Sequence, residues 1–197
     1  CTFGQQEASY WYFGQNAAVN FSGTSPVAVS GSQMHTGEGV ASVSDETGQL
    51  LFYTDGKRVY GANNQLMPNG QTLSGDGSND VQGSVILPNL TDPNLYYIFT
   101  LSGSQSFVAY SVVDMTLNNG NGDVAILNTP LKNQFGNTNW ISSLEAIKTV
   151  SGNGHYWVVL PYFDKLLAYK VDATGVDIDP VISSINAINP SVSHIKI

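Results

Sequence analysis

The chain has 197 residues and a formal net charge of −8, and only 11% of its residues are charged. This length is enough for one domain with a substantial core. No cluster of Lys and Arg offsets the acidic balance, so neither nucleic acid nor an anionic membrane surface is an expected partner. Low charge combined with 20 glycines and 10 tyrosines is typical of β-rich extracellular proteins.

Residues 1–9 are interpreted as an N-terminal tail or as the remnant of a signal peptide. The single cysteine, Cys1, excludes an internal disulfide. It is either the lipidated first residue of a mature lipoprotein or part of a signal peptide that is cut where Gly4 meets Gln5. Both alternatives imply export. No run of about 18 apolar residues is present, so no membrane span is predicted.

Short strands are predicted along the rest of the chain, beginning with Tyr10–Gly14. The strand signal at Leu51–Thr54 leads into Asp55 and Gly56. An Asp-Gly pair between two apolar runs predicts a tight hairpin, because Gly accepts the positive φ of the turn. The same strand signal returns at Tyr97–Thr100, 46 residues later.

A longer match gives the spacing of a repeat. Tyr97 aligns with Tyr156, 59 residues later, and the same spacing aligns Val112 with Val171. These residues lie in two consecutive predicted strands, so a two-stranded hairpin is predicted to occur twice.

The strand that opens each repeat also recurs. Glu38–Val43 matches Gln82–Leu87, 44 residues later, and Ala146–Lys148 matches His194–Lys196. Only Trp140–Val150 has a weak helical pattern, and its match to the other strand openings predicts a strand there instead.

Four short strands per repeat predict an all-β fold of β-propeller blades, similar to WD40 blades, in which each blade is a four-stranded antiparallel sheet. A single blade cannot cover both of its faces, so blades stack around an axis. The domain is expected to span residues 10–197 as an incomplete or truncated ring. The predicted blades, and the start of the next one, are 38–75, 82–131, 142–186 and 193–197.

An ordered series of segments carries a family resemblance. They are Trp11–Ala17, Glu38–Asp45, Gly48–Gly56, Met67–Gly70 and Tyr96–Thr100. The series resembles the N-terminal propeller-like region of large Bacteroidota surface proteins. Those proteins are exported by the type IX secretion system and often carry a gliding-motility-associated C-terminal sorting domain. The resemblance implies an extracellular or outer-surface location and a multidomain parent protein, and it brings no catalytic residues.

Residues suited to catalysis are sparse. His35, His155 and His194 form no closely spaced ligand pair, and no Gly-x-Ser-x-Gly elbow is present. Glu38 and Glu145 lie near what the repeat predicts to be equivalent strand starts, where paired carboxylates could hydrolyse a glycoside. Solvation of strand ends is the favoured interpretation of these two acids.

Calcium is the one cofactor considered, and two loops are candidates for it. Loop 74–80 offers Asp76 and Asp80, and loop 118–123 offers one carboxylate with several amides. Calcium needs six to eight oxygen ligands, and the closing Glu of an EF-hand is missing. A plain solvated loop is therefore favoured in both places.

The aromatic residues are expected mainly to pack between sheets. Trp140, Tyr162 and Phe163 lie near predicted turns and are the candidates for exposed ligand contacts. The binding face is expected at one rim, built from loops such as 61–80 and 114–123.

These observations predict a non-enzymatic recognition, adhesion or scaffold module of a larger secreted surface protein. Its expected partners are an extracellular glycan or protein, or other domains of the same parent protein. Two alternatives remain open. One is a carbohydrate-active propeller enzyme, and the other is a structural subunit of a secretion or gliding complex.

Overall fold

The structure is a computed structural model that describes residues 6–37, 39–75, 82–102, 107–132, 143–149, 154–162 and 164–185. These residues form an all-β fold of several small antiparallel sheets, as the sequence predicts. No closed propeller is detected among them. None of the helices in these ranges is long and apolar enough to cross a membrane.

Four sheets follow one another along the chain, and each is antiparallel. Sheet 1 follows a 3-10 helix at Gln6–Ala8 and has the order β1 (Tyr10–Tyr12), β2 (Ala18–Asn20), β3 (Val27–Val29). Sheet 2 has the order β4 (Ala41–Ser44), β5 (Leu50–Thr54), β6 (Val59–Gly61).

The next two sheets are larger. Sheet 3 has the order β7 (Ser84–Pro88), β8 (Leu95–Ser102), β9 (Phe107–Asp114), β10 (Asp123–Pro130), with a 3-10 helix at Asn118–Gly120. Sheet 4 begins with β11 (Glu145–Lys148), β12 (Tyr156–Tyr162), β13 (Lys165–Asp172). Its outer edge is divided between two strands that both pair with β13, namely β14 (Gly175–Val176) and β15 (Val181–Ser184).

The predicted hairpin at Asp55 and Gly56 connects β5 to β6. One carboxylate oxygen of Asp55 accepts hydrogen bonds from the backbone N–H groups of Lys57 and Arg58, at 2.9 and 2.6 Å. Gly56 has a φ of 78°, which a residue with a side chain rarely adopts. The sequence signal and the turn geometry therefore agree.

Strand pairing confirms the repeat spacing of 59 residues. Tyr97 pairs with Val112 across β8 and β9, and Tyr156 pairs with Val171 across β12 and β13. Both partners are displaced by the same spacing, so the two hairpins have the same register. The segment with a weak helical pattern contains strand β11, as its match to the other strand openings predicts.

The predicted alignment of the opening strands is wrong by one residue. Val43 pairs with Phe52, whereas Ile86, and not Leu87, pairs with the corresponding Ile98. Side chains alternate between the two faces of a strand, so a one-residue slip exchanges the faces. A β-bulge between Val43 and the next residue interrupts the register of sheet 2 at this point, and sequence matching did not detect it.

The first strands of the sheets lie side by side in chain order. Strand β4 contacts β1 and β7, and β7 also contacts β11. The Ser42 hydroxyl donates to the carbonyl of Tyr10 at 2.7 Å, and the Ser84 hydroxyl donates to the carbonyl of Gly39 at 2.7 Å. Successive sheets are therefore joined by hydrogen bonds along their first strands.

A hydrophobic core fills each space between successive sheets. Sheets 1 and 2 share a cluster in which Tyr53 stacks on Tyr12 and Tyr60, with ring centroids 4.1 and 5.2 Å apart. In β8, Ile98 points into the core shared with sheet 2, and Phe99 points into the core shared with sheet 4. Strand β8 is therefore buried on both faces.

Candidate functional site

A pocket of about 510 Å³ lies where the first strands of sheets 2, 3 and 4 end. Four separate parts of the chain line it: the 3-10 helix before β1, the end of β4 with its following turn, the turn between β7 and β8, and the junction of β11 with β12. We call it the strand-end pocket. Its lining residues are Glu7, residues 43–47, residues 88–90, Pro93, Tyr96, Lys148 and Tyr156.

The turn after β4, residues 45–48, is called the Asp45 turn. One carboxylate oxygen of Asp45 accepts hydrogen bonds from the backbone N–H and the hydroxyl of Thr47, at 2.8 and 2.7 Å, and from the backbone N–H of Gln49 at 2.9 Å. Desolvation favours the neutral acid, but hydrogen bonds from Thr47, Gln49 and Gly48 outweigh it and hold the pKa of Asp45 below its ordinary value. Asp45 is therefore a fixed, ionised group at neutral pH.

The turn after β7 has a related structure. The side-chain oxygen of Asn89 accepts from the backbone N–H and the hydroxyl of Thr91 at 2.8 and 2.9 Å, and from the backbone N–H of Asp92 at 3.0 Å. Its amide group donates to the hydroxyl of Tyr97 at 2.8 Å. The pocket walls on sheets 2 and 3 are thus two turns of one kind, each closed by an Asp or Asn side chain.

Three carboxylates influence one tyrosine in the pocket. Tyr96, at the start of β8, is only 8% exposed. Burial is the main reason that the pKa of its hydroxyl is raised, and the negative charges of Asp45, Glu46 and Glu7 raise it further. The electrostatic field at this wall of the pocket is therefore negative.

The opposite wall holds the one ammonium group of the lining. The Lys148 ammonium lies 5.5 Å from the centre of the Tyr156 ring, within the range of a cation–π contact. Lys148 is exposed, whereas Tyr156 is 8% exposed. With three carboxylates against one ammonium, the lining carries a net negative charge at neutral pH.

Ser44, the last residue of β4, is the unusual group in the wall. Its side chain is 1% exposed, and its hydroxyl has no hydrogen-bond partner among the described residues. A buried hydroxyl without a partner costs about 1–3 kcal/mol. It directly follows the β-bulge of β4, and bulges are frequent beside binding sites, where they redirect a side chain.

The chemistry of the lining suits binding by charge and hydrogen bonds. It contains carboxylates, hydroxyls, tyrosines and prolines, but no His or Cys. Across the described part of the chain, no group of three or more His, Cys, Asp or Glu is placed to hold a metal ion.

Most of the predicted ligand-binding residues lie outside the described residues. These are the aromatic residues Trp140 and Phe163, the calcium candidates Asp76 and Asp80, and Cys1. Their roles stay predictions.

Tyr162 is described, and its predicted exposure is wrong. It is the last residue of β12 and is 4% exposed, because alternation along the strand turns its ring into the core between sheets 3 and 4. A ligand contact through this ring would need the core to open.

The acids considered for calcium binding or catalysis have protein partners where they are described. Each carboxylate oxygen of Asp123 accepts a hydrogen bond from Asn69, one from the backbone N–H at 2.8 Å and one from the side-chain amide at 2.7 Å. A carboxylate oxygen of Glu145 accepts from the side-chain amide of Gln82 at 3.0 Å. Glu38, its predicted counterpart, lies outside the described residues.

The sequence analysis did not identify the strand-end pocket. Its charged and polar groups come from widely separated positions, such as Glu7, Ser44, Asn89 and Lys148, so no single motif contains them. One signal was available: Asp45-x-Thr47 and Asn89-x-Thr91 both directly follow the first strand of a sheet.

Comparison with models of known protein families, with curated proteins and with solved structures found no match to this chain. The functional argument therefore depends on the residues of the pocket and on the arrangement of the sheets.

Proposed function

We propose that this chain is a non-enzymatic recognition module of a larger exported bacterial surface protein, and that it binds its ligand in the strand-end pocket. The observation that carries the proposal is the convergence of the turns that follow the first strands of three successive sheets on one pocket of about 510 Å³. Turns held by a rigid set of sheets are a common place for binding residues, and the volume is typical of a ligand site.

We further propose that the sheets are consecutive blades of a β-propeller. Three features support this: the first strands lie side by side, a core lies between each pair of successive sheets, and two hairpins repeat with one register. Blades that stack around an axis have these three features, with their first strands nearest the axis. The strand-end pocket is then at one mouth of the axis.

Binding is favoured over catalysis by the character of the acids. A general acid needs a raised pKa, whereas the hydrogen bonds to Asp45 keep it ionised. Such a carboxylate is a fixed acceptor that recognises a ligand without exchanging protons with it.

A binding array tests the use of the pocket. The chain is applied to immobilised glycans and extracellular proteins, together with the variant Glu46→Trp, which places a large side chain at the pocket. The matched control is Ala173→Trp, because Ala173 holds the same position as Glu46 in a second Asp-x-Thr-Gly turn outside the pocket lining. We expect Glu46→Trp to abolish capture and Ala173→Trp to preserve it. Equal capture by the two variants would contradict the proposal.

Cell fractionation tests the proposed parent protein. An antibody against this chain should detect a band far above 21.1 kDa in the surface or medium fraction of the source cells. A band near 21.1 kDa in a membrane fraction would contradict the large parent and favour a small lipoprotein anchored through Cys1.

A further inference from the structure

We propose that the strand-end pocket accepts a basic side chain, lysine or arginine, from a bound polypeptide. This inference rests on the proposed function and specifies its ligand class. Four properties of the pocket carry it: its charge, an unsatisfied buried hydroxyl, a tyrosine wall that already holds an ammonium group, and its volume.

The first property is the charge. The pocket has three carboxylates, those of Glu7, Asp45 and Glu46, and the single ammonium of Lys148. Hydrogen bonds fix Asp45, while Glu7 and Glu46 are exposed and their side chains can turn toward a cation. The chain as a whole carries −8, so its wider field also attracts a positive group.

The second property is the Ser44 hydroxyl, which is independent of the acids. This buried oxygen in the pocket wall has no partner among the described residues, and a serine oxygen accepts hydrogen bonds. An ammonium or guanidinium group has only donors to offer. A bound basic side chain therefore supplies what Ser44 lacks.

The third property is the tyrosine wall. The Lys148 ammonium over Tyr156 shows that a cation is accommodated against this ring, 5.5 Å from its centre. Lys148 is exposed, so it can move aside when a ligand cation enters.

The fourth property is the size, which separates a side chain from a metal ion. A volume of about 510 Å³ is far larger than one ion needs. The described carboxylates also do not form a cluster placed to hold a metal. A long side chain with a charged end uses both the volume and the dispersed acids.

The experiment is an NMR titration of the isotope-labelled chain with four blocked amino acids. Nα-acetyl-lysine methylamide and Nα-acetyl-arginine methylamide are the basic probes, and the norleucine and glutamate analogues are the uncharged and acidic ones. The basic probes should shift the backbone amides of residues 43–49 and 89–91 in a saturable way, and added salt should weaken them. The norleucine and glutamate analogues should leave these amides unchanged.

Two charge-removing variants sharpen the titration. Glu46→Gln should weaken binding of the basic probes by about two- to five-fold, the effect of one exposed ion pair. Asp164→Asn is the control, because it removes an exposed carboxylate that does not line the pocket, and it should leave affinity unchanged.

Each contrary outcome overturns a defined statement. Norleucine binding as tightly as lysine would overturn the role of charge and keep the pocket as a site. If no basic probe shifts the pocket amides while Glu46→Trp still abolishes capture on the array, the ligand class is wrong and the proposed function stands. Shifts of the same amides by calcium alone would replace the basic side chain with a metal ion.

Discussion

Two turns of this protein share the sequence Asp-x-Thr-Gly and differ in what surrounds them. One is the Asp45 turn, and the other, residues 172–175, connects β13 to β14 and is called the Asp172 turn. In both, one carboxylate oxygen accepts from the backbone N–H of the Thr two residues later, at 2.8 Å, and from its hydroxyl, at 2.7 or 2.6 Å. Only the Asp45 turn lines the strand-end pocket. Local sequence determines the shape of a turn, and its place in the fold determines its use.

The residue that precedes each turn shows the difference most clearly. Val171 is fully buried in the core between sheets 3 and 4, whereas Ser44 is buried with an unpaired hydroxyl. The core turn gains stability at this position and the pocket turn loses it. Residues that reduce stability are expected where a protein binds something.

The largest predicted effect comes from making the core turn resemble the pocket turn. Val171→Ser removes buried methyl groups and leaves a hydroxyl in a hydrophobic core, so it should lower the free energy of unfolding by about 2–4 kcal/mol. Urea denaturation followed by circular dichroism measures this change. A loss below about 1 kcal/mol would mean that the core relaxes around the serine.

The glycine that ends each turn gives the next effect. Gly48 and Gly175 have φ values of 85° and 115°, so an alanine is strained at either position. At Gly48 a Cβ would also lie 2.6 Å from the side-chain oxygen of Gln6 and 2.9 Å from the Ser9 hydroxyl, whereas at Gly175 its nearest neighbour is 3.8 Å away.

We therefore expect Gly48→Ala to destabilise by about 2–3 kcal/mol and Gly175→Ala by about 1–2 kcal/mol. Thermal unfolding of the two variants side by side gives the comparison. An equal loss would indicate that Gln6 and Ser9 move away at no cost.

Ser44→Ala should act in the opposite direction and more weakly. Because it removes a buried polar group without a partner, it should raise the free energy of unfolding by up to about 1 kcal/mol in the absence of ligand. In the NMR titration the same variant should bind the lysine probe more weakly. A destabilised Ser44→Ala would show that the hydroxyl has a partner in solution, such as an ordered water.

The smallest effect concerns the pKa values of the two aspartates. The Lys170 ammonium lies 2.9 Å from an Asp172 oxygen and, together with the hydrogen bonds from Thr174, holds the pKa of Asp172 well below its ordinary value of 3.8. Lys170→Ala should raise the pKa of Asp172 toward that value and leave the pKa of Asp45 unchanged. Carbon-13 NMR titration of the carboxyl groups reads both directly.

The sign of the acid dependence follows from the direction of this shift. A carboxyl group with a lowered pKa in the folded state stabilises the fold above pH 3.8, and that contribution disappears as the pH falls toward the folded-state pKa. In Lys170→Ala this loss on acidification should be smaller. An unchanged acid profile would show that Thr174, rather than Lys170, holds Asp172.

The sequence was sufficient for those parts of the fold that depend on local pattern. Alternation and turn residues predicted the Asp55 hairpin, and the Tyr97 and Tyr156 match predicted two hairpins with one register. The bulge at Val43 was not predicted, because an extra residue in one strand leaves no mark on the apolar pattern. Tyr162 was misjudged because its place near a turn suggested exposure, while strand alternation buries it.

The strand-end pocket could not be predicted from any one segment. Glu7 and Lys148 are brought to the same pocket only when sheets 1 to 4 assemble. An orphan hydroxyl such as that of Ser44 is likewise invisible in a sequence, because it is defined by partners that are absent from its surroundings. Polar turns at strand ends were visible, and their recurrence after the first strands was the available clue.

Strand β8 has a consequence for how this protein unfolds. Its alternate side chains, such as Ile98 and Phe99, belong to two different cores, so neither core can open without exposing one face of the strand. Sheets 2, 3 and 4 are therefore expected to melt in a single cooperative transition, although their hydrophobic clusters are separate. The amides of β8 should be the last to exchange their hydrogens for deuterium.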